Sequence, residues 1–187
     1  MMKLISAACL ALLGIAACNS CSGSSSATGG SMPTSPPTTT VTIPLPSATV
    51  EPVPTDTLVV RENWTFTLPK EWLLNKEECT PAHCAVSFRN QDDTKQVVFV
   101  RESTQDSMDA FVITTLRSFK GVDAEILSTE SVSLNSQNFV LIKASRNSMV
   151  VDTWVTVIDD NSYALACGGA ADNTALCKAV AESLMIN

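Results

Sequence analysis

The sequence contains few of the residue types on which most catalytic sites depend. It has one histidine, His83, and one tyrosine among 187 residues, and aromatic residues make up 5% of the chain. No glycine-rich phosphate loop, H-E-x-x-H or G-x-S-x-G pattern occurs, so nothing indicates the enzyme classes that use them. Lysine and arginine form no cluster and the formal net charge is −7, which argues against nucleic-acid binding. We therefore expect a non-enzymatic protein without a cofactor.

The chain also lacks an apolar run long enough to span a bilayer. The longest candidate, Leu4 to Ala17, follows Lys3 and is too short for a stable anchor, but its length and small residues are typical of a secretory signal. Its end, GIAAC at residues 14–18, resembles a bacterial lipobox. The resemblance implies cleavage after residue 17, palmitate and other acyl chains on Cys18, and attachment to an envelope membrane. An ordinary signal peptide with a chance cysteine is the alternative.

Asn19 follows the cysteine that the lipobox resemblance marks for lipid. Inner-membrane lipoproteins of Gram-negative cells often carry Asp at this position, so the resemblance favours the outer membrane if the cell is Gram-negative. Cys9 is not an alternative lipid site, because too little apolar sequence precedes it.

Residues 18–56 are predicted to form a lipidated, disordered tether. Serine, threonine, proline and glycine dominate this segment and charges are nearly absent, so it cannot bury enough apolar surface to offset its chain entropy. As a coil, a segment of this length reaches about 35 Å. A partner-binding segment is the alternative, although no motif indicates one.

Residues 57–187 are predicted to form one α+β domain. Alternating apolar residues in NWTFTLP and two runs around the turn NQDDTK predict strands, and four further strand-like runs follow residue 123. Between them, apolar residues at helical spacing predict a helix with Asp106 as N-cap and Gly121 as its stop. A second helix is expected from Asn173 to Met185, with its apolar side formed by Leu176, Ala179, Val180 and Leu184. The turns between the later runs are too short for parallel crossovers, so we expect an antiparallel sheet of about six strands packed with helices.

The opening of this domain, FTLPKEW from Phe66 to Trp72, resembles the F-x-x-P-x-x-W opening of PsbP-like domains, including DcrB-type envelope lipoproteins. The later helix, strand meander, YALAC strand and closing helix follow the same plan. The resemblance implies a PsbP-like sandwich and an accessory role, and it assigns no binding residue to this chain.

The cysteines raise the main question about chemistry. If the chain is exported, Cys79, Cys84, Cys167 and Cys177 are expected to form disulfides, while Cys21 is left over near the membrane. Local pairing, Cys79 with Cys84 and Cys167 with Cys177, suits the turn at Thr80-Pro81 and the glycines after Cys167; crossed pairing is the alternative. A redox or metal centre that uses Cys79, His83 and Cys84 is a further alternative, although zinc usually needs four ligands and thioredoxin-type sites use C-x-x-C.

Other candidate groups have simpler interpretations. Adjacent carboxylates at Glu77-Glu78, Asp92-Asp93 and Asp159-Asp160 are expected to face solvent in turns rather than to catalyse hydrolysis or bind calcium. The tryptophans Trp64, Trp72 and Trp154 could line a pocket, but their alternating positions favour the core. The sequence thus predicts an envelope protein held by lipid on Cys18, with a domain that binds an envelope protein partner and no metal. Capture of a small ligand between sheet and helix is a third hypothesis.

Overall fold

The computed structural model describes residues 56–170 and 174–187. The predicted signal peptide, the lipidation site Cys18, Cys21 and nearly all of the predicted tether lie outside these residues. In chain order the elements are β1 (Thr57–Arg61), β2 (Trp64–Leu68), β3 (Leu73–Cys79), β4 (His83–Arg89), β5 (Lys95–Ser103), α1 (Met108–Gly121), β6 (Glu125–Leu134), β7 (Gln137–Arg146), β8 (Met149–Ile158), β9 (Asn161–Ala170), α2 (Thr174–Glu182) and β10 (Met185–Ile186).

The strands form two antiparallel sheets. The larger sheet has seven strands in the order β3-β4-β5-β9-β8-β7-β6, and the smaller has three in the order β1-β2-β10. One face of the larger sheet, with Phe99, Leu165 and Trp154, packs against the smaller sheet and α2. The other face, with Val100, Val151 and Ile142, packs against α1. The α+β class and the antiparallel pairing are as the sequence predicts.

Three tight turns set the register of the later strands. Each has two central residues with φ between 47° and 66°, the geometry of type I′ hairpins, which aspartate and asparagine tolerate better than most residues. The turns are Asn135-Ser136, Asn147-Ser148 and Asp159-Asp160. They produce the long β6-β7-β8-β9 meander.

The ends of α1 differ from the prediction. The N-cap is Ser107, not Asp106, and its Oγ accepts a hydrogen bond from the Ala110 N–H at 3.3 Å. Gly121 is the last helical residue rather than the stop, and Asp123 instead takes the left-handed conformation, with φ 56°. The Ala124 N–H bonds to the Phe119 carbonyl and the Asp123 N–H to that of Lys120, which together form a Schellman motif.

The second helix is shorter than predicted. It ends at Glu182, and Met185–Ile186 form strand β10 beside β2. The predicted first residue, Asn173, lies outside the described part of the chain. Ala179 is exposed, whereas Cys177, Val180 and Ala181 are buried, so the apolar side of α2 is rotated from the predicted one. None of the described helices is long and apolar enough to cross a bilayer.

Candidate functional site

The segment around the single histidine forms the hairpin between β3 and β4. Cys79 and Cys84 face each other across it, with their sulfur atoms 1.97 Å apart, which is disulfide distance. The Thr80 N–H bonds to the His83 carbonyl at 2.6 Å, and the Arg101 guanidinium donates to the carbonyls of Thr80 and Pro81. The hairpin is therefore held both by its own hydrogen bonds and by β5.

His83 is the first residue of β4 and is half-buried. Its Nδ1 is buried without a hydrogen-bond partner among the described residues. Within residues 56–170 and 174–187, no group of three or more His, Cys, Asp or Glu side chains is placed to hold a metal ion. Cys79 and Cys84 lie on strands, whereas activated thiols commonly lie at a helix N-terminus.

The second cysteine pair joins the larger sheet to α2. The sulfur atoms of Cys167, on β9, and Cys177, on α2, are 2.00 Å apart, and both residues are buried. The local partners that the sequence favours therefore lie at disulfide distance in both cases. This second pair fixes the position of α2 over the sheet.

A pocket of about 220 Å³ lies between α2 and the β6–β8 end of the larger sheet. The sheet supplies apolar walls from Val132, Leu134, Leu141 and Trp154 and two charged groups, Lys143 and Asp152. The helix supplies Thr174, Lys178, Ala181 and Glu182, and Ser133 completes the lining.

The charged pair lies on two neighbouring strands of the larger sheet, where Lys143 of β7 and Asp152 of β8 are direct cross-strand partners. The Lys143 Nζ is 3.7 Å from Asp152 Oδ2, and the Asp152 side chain is only 4% exposed. Its other oxygen, Oδ1, has no hydrogen-bond partner among the described residues. Burial raises the pKa of Asp152 above its ordinary value of 3.8, Lys143 opposes that rise, and Glu130 adds to it.

Hydrogen bonds hold the far end of α2 beside this pocket. The Asn135 amide, in the β6–β7 turn, donates to the carbonyls of Glu182 at 3.1 Å and Leu184 at 2.7 Å. The Gln137 amide donates to the Ile186 carbonyl at 3.1 Å. With the Cys167–Cys177 pair near its start and these bonds at its end, α2 is fixed at both ends over the pocket.

Sequence reasoning did not single out Lys143 and Asp152, although a signal is present. Both are charged residues inside runs that otherwise predict buried strands, NFVLIKASR and VVDTWVTVID. Counting back equally from the Asn147-Ser148 turn pairs one with the other, as the structure does. A charge at a buried position usually has a charged partner, so this register identifies the pair.

The remaining candidates divide between surface and core. The adjacent carboxylates Glu77-Glu78, Asp92-Asp93 and Asp159-Asp160 are all exposed, as expected, but Glu77-Glu78 lie on strand β3 and not in a turn. Trp64 is 1% exposed and stacks with Phe66 in the core, and Trp72 packs against that core. Trp154 is buried but lines the pocket, so one of the three tryptophans contributes to a cavity.

Comparison with known proteins identifies the fold. No family model matches the chain, and no curated protein sequence matches it. The solution structure of cyanobacterial PsbP (CyanoP) from Synechocystis sp. PCC 6803 superposes with a TM-score of 0.59 at 15% identity and covers 76% of this chain and 99% of that one. A crystal structure from Bacteroides thetaiotaomicron VPI-5482 gives a TM-score of 0.45 at 13% identity, covering 66% of this chain and 45% of the other. The first match shows that the domain has a PsbP-like α+β fold.

Proposed function

We propose that this chain is a lipid-anchored lipoprotein of the bacterial envelope whose PsbP-like domain acts by binding and not by catalysis. The lipobox-like residues before Cys18, the Ser/Thr/Pro-rich segment to residue 56 and one folded domain follow each other as they would in such a protein. The two cysteine pairs at disulfide distance support an oxidising compartment outside the cytosol.

The pocket beneath α2 is the observation that carries the binding role. It combines apolar walls with a small number of polar groups, which is the usual composition of a ligand site. The fold itself does not specify a function. The PsbP-like resemblance supports an accessory role, and an envelope protein remains the partner that we propose for the domain as a whole.

Metabolic labelling with palmitate tests the anchor. We expect the label on the protein to be lost in Cys18→Ala and kept in Cys21→Ala, a matched control only three residues away. Fractionation of the same cells should move the protein from the membrane to the soluble fraction in Cys18→Ala alone. If the label persists in Cys18→Ala, the lipobox interpretation is wrong.

The alternative function, a redox or metal-dependent protein, would use Cys79, His83 and Cys84. If the cysteines only close the hairpin, Cys79→Ser with Cys84→Ser should lower the free energy of unfolding by about 2 kcal/mol, because the short cross-link no longer restricts the unfolded chain. His83→Ala should leave the function of the protein unchanged. Denaturant unfolding and a cell-based test of function measure the two effects. Loss of function in a fully folded His83→Ala protein would favour the alternative.

A further inference from the structure

We propose that the pocket beneath α2 binds an alkylammonium group, that is, a short apolar body ending in –NH₃⁺. This inference rests on the binding role proposed above and does not depend on the lipid anchor. The group could belong to a small free amine or to a lysine side chain of a partner protein. In both cases the ammonium would meet Asp152 and the apolar body would lie against Trp154 and Leu141.

The unpaired carboxylate oxygen is the first observation behind this proposal. Asp152 is 3% exposed, yet its Oδ1 accepts no hydrogen bond from any described residue. A buried acceptor without a donor is costly, more so when the group is charged. The Nζ of Lys143 forms an ion pair with Oδ2 only, at a distance of 3.7 Å. Asp152 is one of the residues that line the pocket, so the residue that lacks this bond forms part of the wall.

The neighbouring row of residues repeats this pattern. Ser128, Lys143, Asp152 and Cys167 are consecutive partners across β6, β7, β8 and β9. The Ser128 Oγ is also buried without a partner among the residues described. Lys143 thus lies between Ser128 and Asp152, two residues that each have a buried oxygen atom without a hydrogen-bond partner among the described residues.

The charges around the pocket favour a cation over an anion. Among the residues that line the pocket, Asp152 and Glu182 balance Lys143 and Lys178 in charge, and Glu130, whose charge acts on Asp152 from β6, adds one negative charge nearby. Lys178 is already paired with Glu182 at 3.6 Å at the exposed rim. A charge-assisted bond to a buried carboxylate is stronger than a neutral one, so an ammonium is preferred to a hydroxyl.

The size and walls of the pocket limit the rest of the ligand. At about 220 Å³, it is smaller than the pockets of about 300–1,000 Å³ that hold drug-sized molecules. The apolar side chains of Val132, Leu134, Leu141 and Trp154 form most of the wall. A chain of a few methylene groups fits this space, whereas a nucleotide or a large cofactor does not.

A series of probes with one body and different head groups tests the proposal. The full chain carrying Cys18→Ala is titrated with 1-pentylamine, 1-pentanol and pentanoate, and ¹H–¹⁵N NMR follows the Trp154 indole and the amides of Lys143 and Asp152. We expect saturable shifts with pentylamine, weaker binding of pentanol and none of pentanoate. Equal binding of amine and alcohol, binding of pentanoate, or no binding of any probe would overturn the proposal.

Two variants connect the binding to this pocket. Asp152→Asn keeps the shape of the side chain and removes its charge, so it should weaken pentylamine binding by at least about tenfold. Thr174→Trp, at an exposed position that lines the pocket, should block its mouth without touching Asp152. Ala175→Trp, at the next exposed residue outside the lining, is the matched control. If Asp152→Asn does not fold, Thr174→Trp still tests whether pentylamine binds in this pocket. Undiminished binding of pentylamine to Thr174→Trp would contradict the proposal.

A further titration distinguishes the two sources of the group. Nα-acetyl-lysine methylamide presents the same ammonium on a peptide-like backbone. Binding at least as tight as that of pentylamine would indicate a lysine of a protein partner, and weaker binding would indicate a free amine. Because these titrations use the Cys18→Ala chain, failure of the anchor in the labelling experiment and failure of the pocket in this one remain separate results.

Discussion

At the scale of single residues, the buried carboxylate of Asp152 is the most unusual feature of the domain. Seven polar or charged residues are buried among those described, and Asp152 is the only one of them that carries a charge. Its partner Lys143 remains partly exposed, whereas the Asp152 side chain is almost fully covered. A pair with this asymmetry contributes little net stability, which fits a role in binding better than a role in folding.

The raised pKa of Asp152 predicts how stability depends on pH. The unfolded chain releases the carboxyl proton of Asp152 near its ordinary pKa of 3.8, and the folded chain releases it at higher pH. The protonated carboxyl group therefore makes its full contribution to stability below pH 3.8. It is lost as the pH rises through the folded pKa. Relative to Asp152→Asn, the unchanged protein should therefore lose up to about 1.4 kcal/mol per pH unit across this window, and denaturant unfolding at a series of pH values measures the loss.

The charged groups that face Asp152 are the same in both proteins, so the difference isolates its titration. They are Glu130 on β6, Lys143 on β7, and Lys178 and Glu182 on α2. Asp92→Asn, in the exposed turn after β4, controls for the loss of one surface carboxylate. If the free energy of unfolding of the unchanged protein instead increases relative to that of Asp152→Asn as the pH rises, the direction of the pKa shift is contradicted.

At the scale of elements, the β6–β7 turn does more than reverse the chain. Asn135 combines a left-handed backbone, with φ 48°, with two hydrogen bonds to the carbonyls at the end of α2. Asn135→Gly keeps the backbone conformation accessible and removes both donors. We expect it to lower the free energy of unfolding by about 1–3 kcal/mol, since each such bond is worth about 0.5–1.5 kcal/mol.

Asn147→Gly is the matched control for this prediction, because Asn147 has the same place in the next turn, with φ 49°. Its change should cost less than half as much, and only Asn135→Gly should increase hydrogen exchange in α2. Denaturant unfolding and amide exchange provide the two measurements. Equal losses in the two variants would show that the side-chain bonds of Asn135 contribute nothing beyond the turn itself.

The elements that the sequence failed to predict are those whose side chains carry no periodic signal. All seven residues of β3 are exposed, so no alternation marks it as a strand, and only its pairing with β4 makes it one. β10 has only two residues and directly follows Leu184, which lies at helical spacing from Val180, so the sequence predicts a helix as far as Met185. By contrast, β6 to β9 and α1 were predictable. The residues of the tight turns indicate the register of the strands, and the spacing of apolar residues indicates the buried face of the helix.

At the scale of the whole molecule, the pocket lies between the larger sheet and α2, and no local sequence pattern predicts that these two elements come together. The Lys143–Asp152 register follows from one turn, but the roof of the pocket comes from α2, more than twenty residues later. Its position depends on the Cys167–Cys177 pair and on the bonds from Asn135 and Gln137. Sequence analysis could therefore predict the fold class and one wall of the site, whereas the cavity itself required the tertiary structure.

The charge of the chain predicts how the domain behaves near a membrane. The formal net charge is −7, and loss of residues 1–17 would also remove Lys3. Anionic lipid should repel such a domain. We therefore expect the Cys18→Ala chain to stay in the supernatant when it is sedimented with vesicles of phosphatidylglycerol or phosphatidylcholine, while the lipidated protein sediments with both.

The outer face of the smaller sheet is the surface that could contradict this expectation. Leu58, Val60 and Met185 are more than half exposed there, but Thr65 and Thr67 separate them, since β2 lies between β1 and β10. Polar residues between apolar ones keep the continuous apolar area small. If the Cys18→Ala chain sediments with phosphatidylcholine vesicles and Leu58→Ser abolishes this sedimentation, the result would assign a membrane contact to this face. Sedimentation with phosphatidylglycerol alone would instead require a cationic surface, and the acyl chains proposed for Cys18 would then not be the sole attachment.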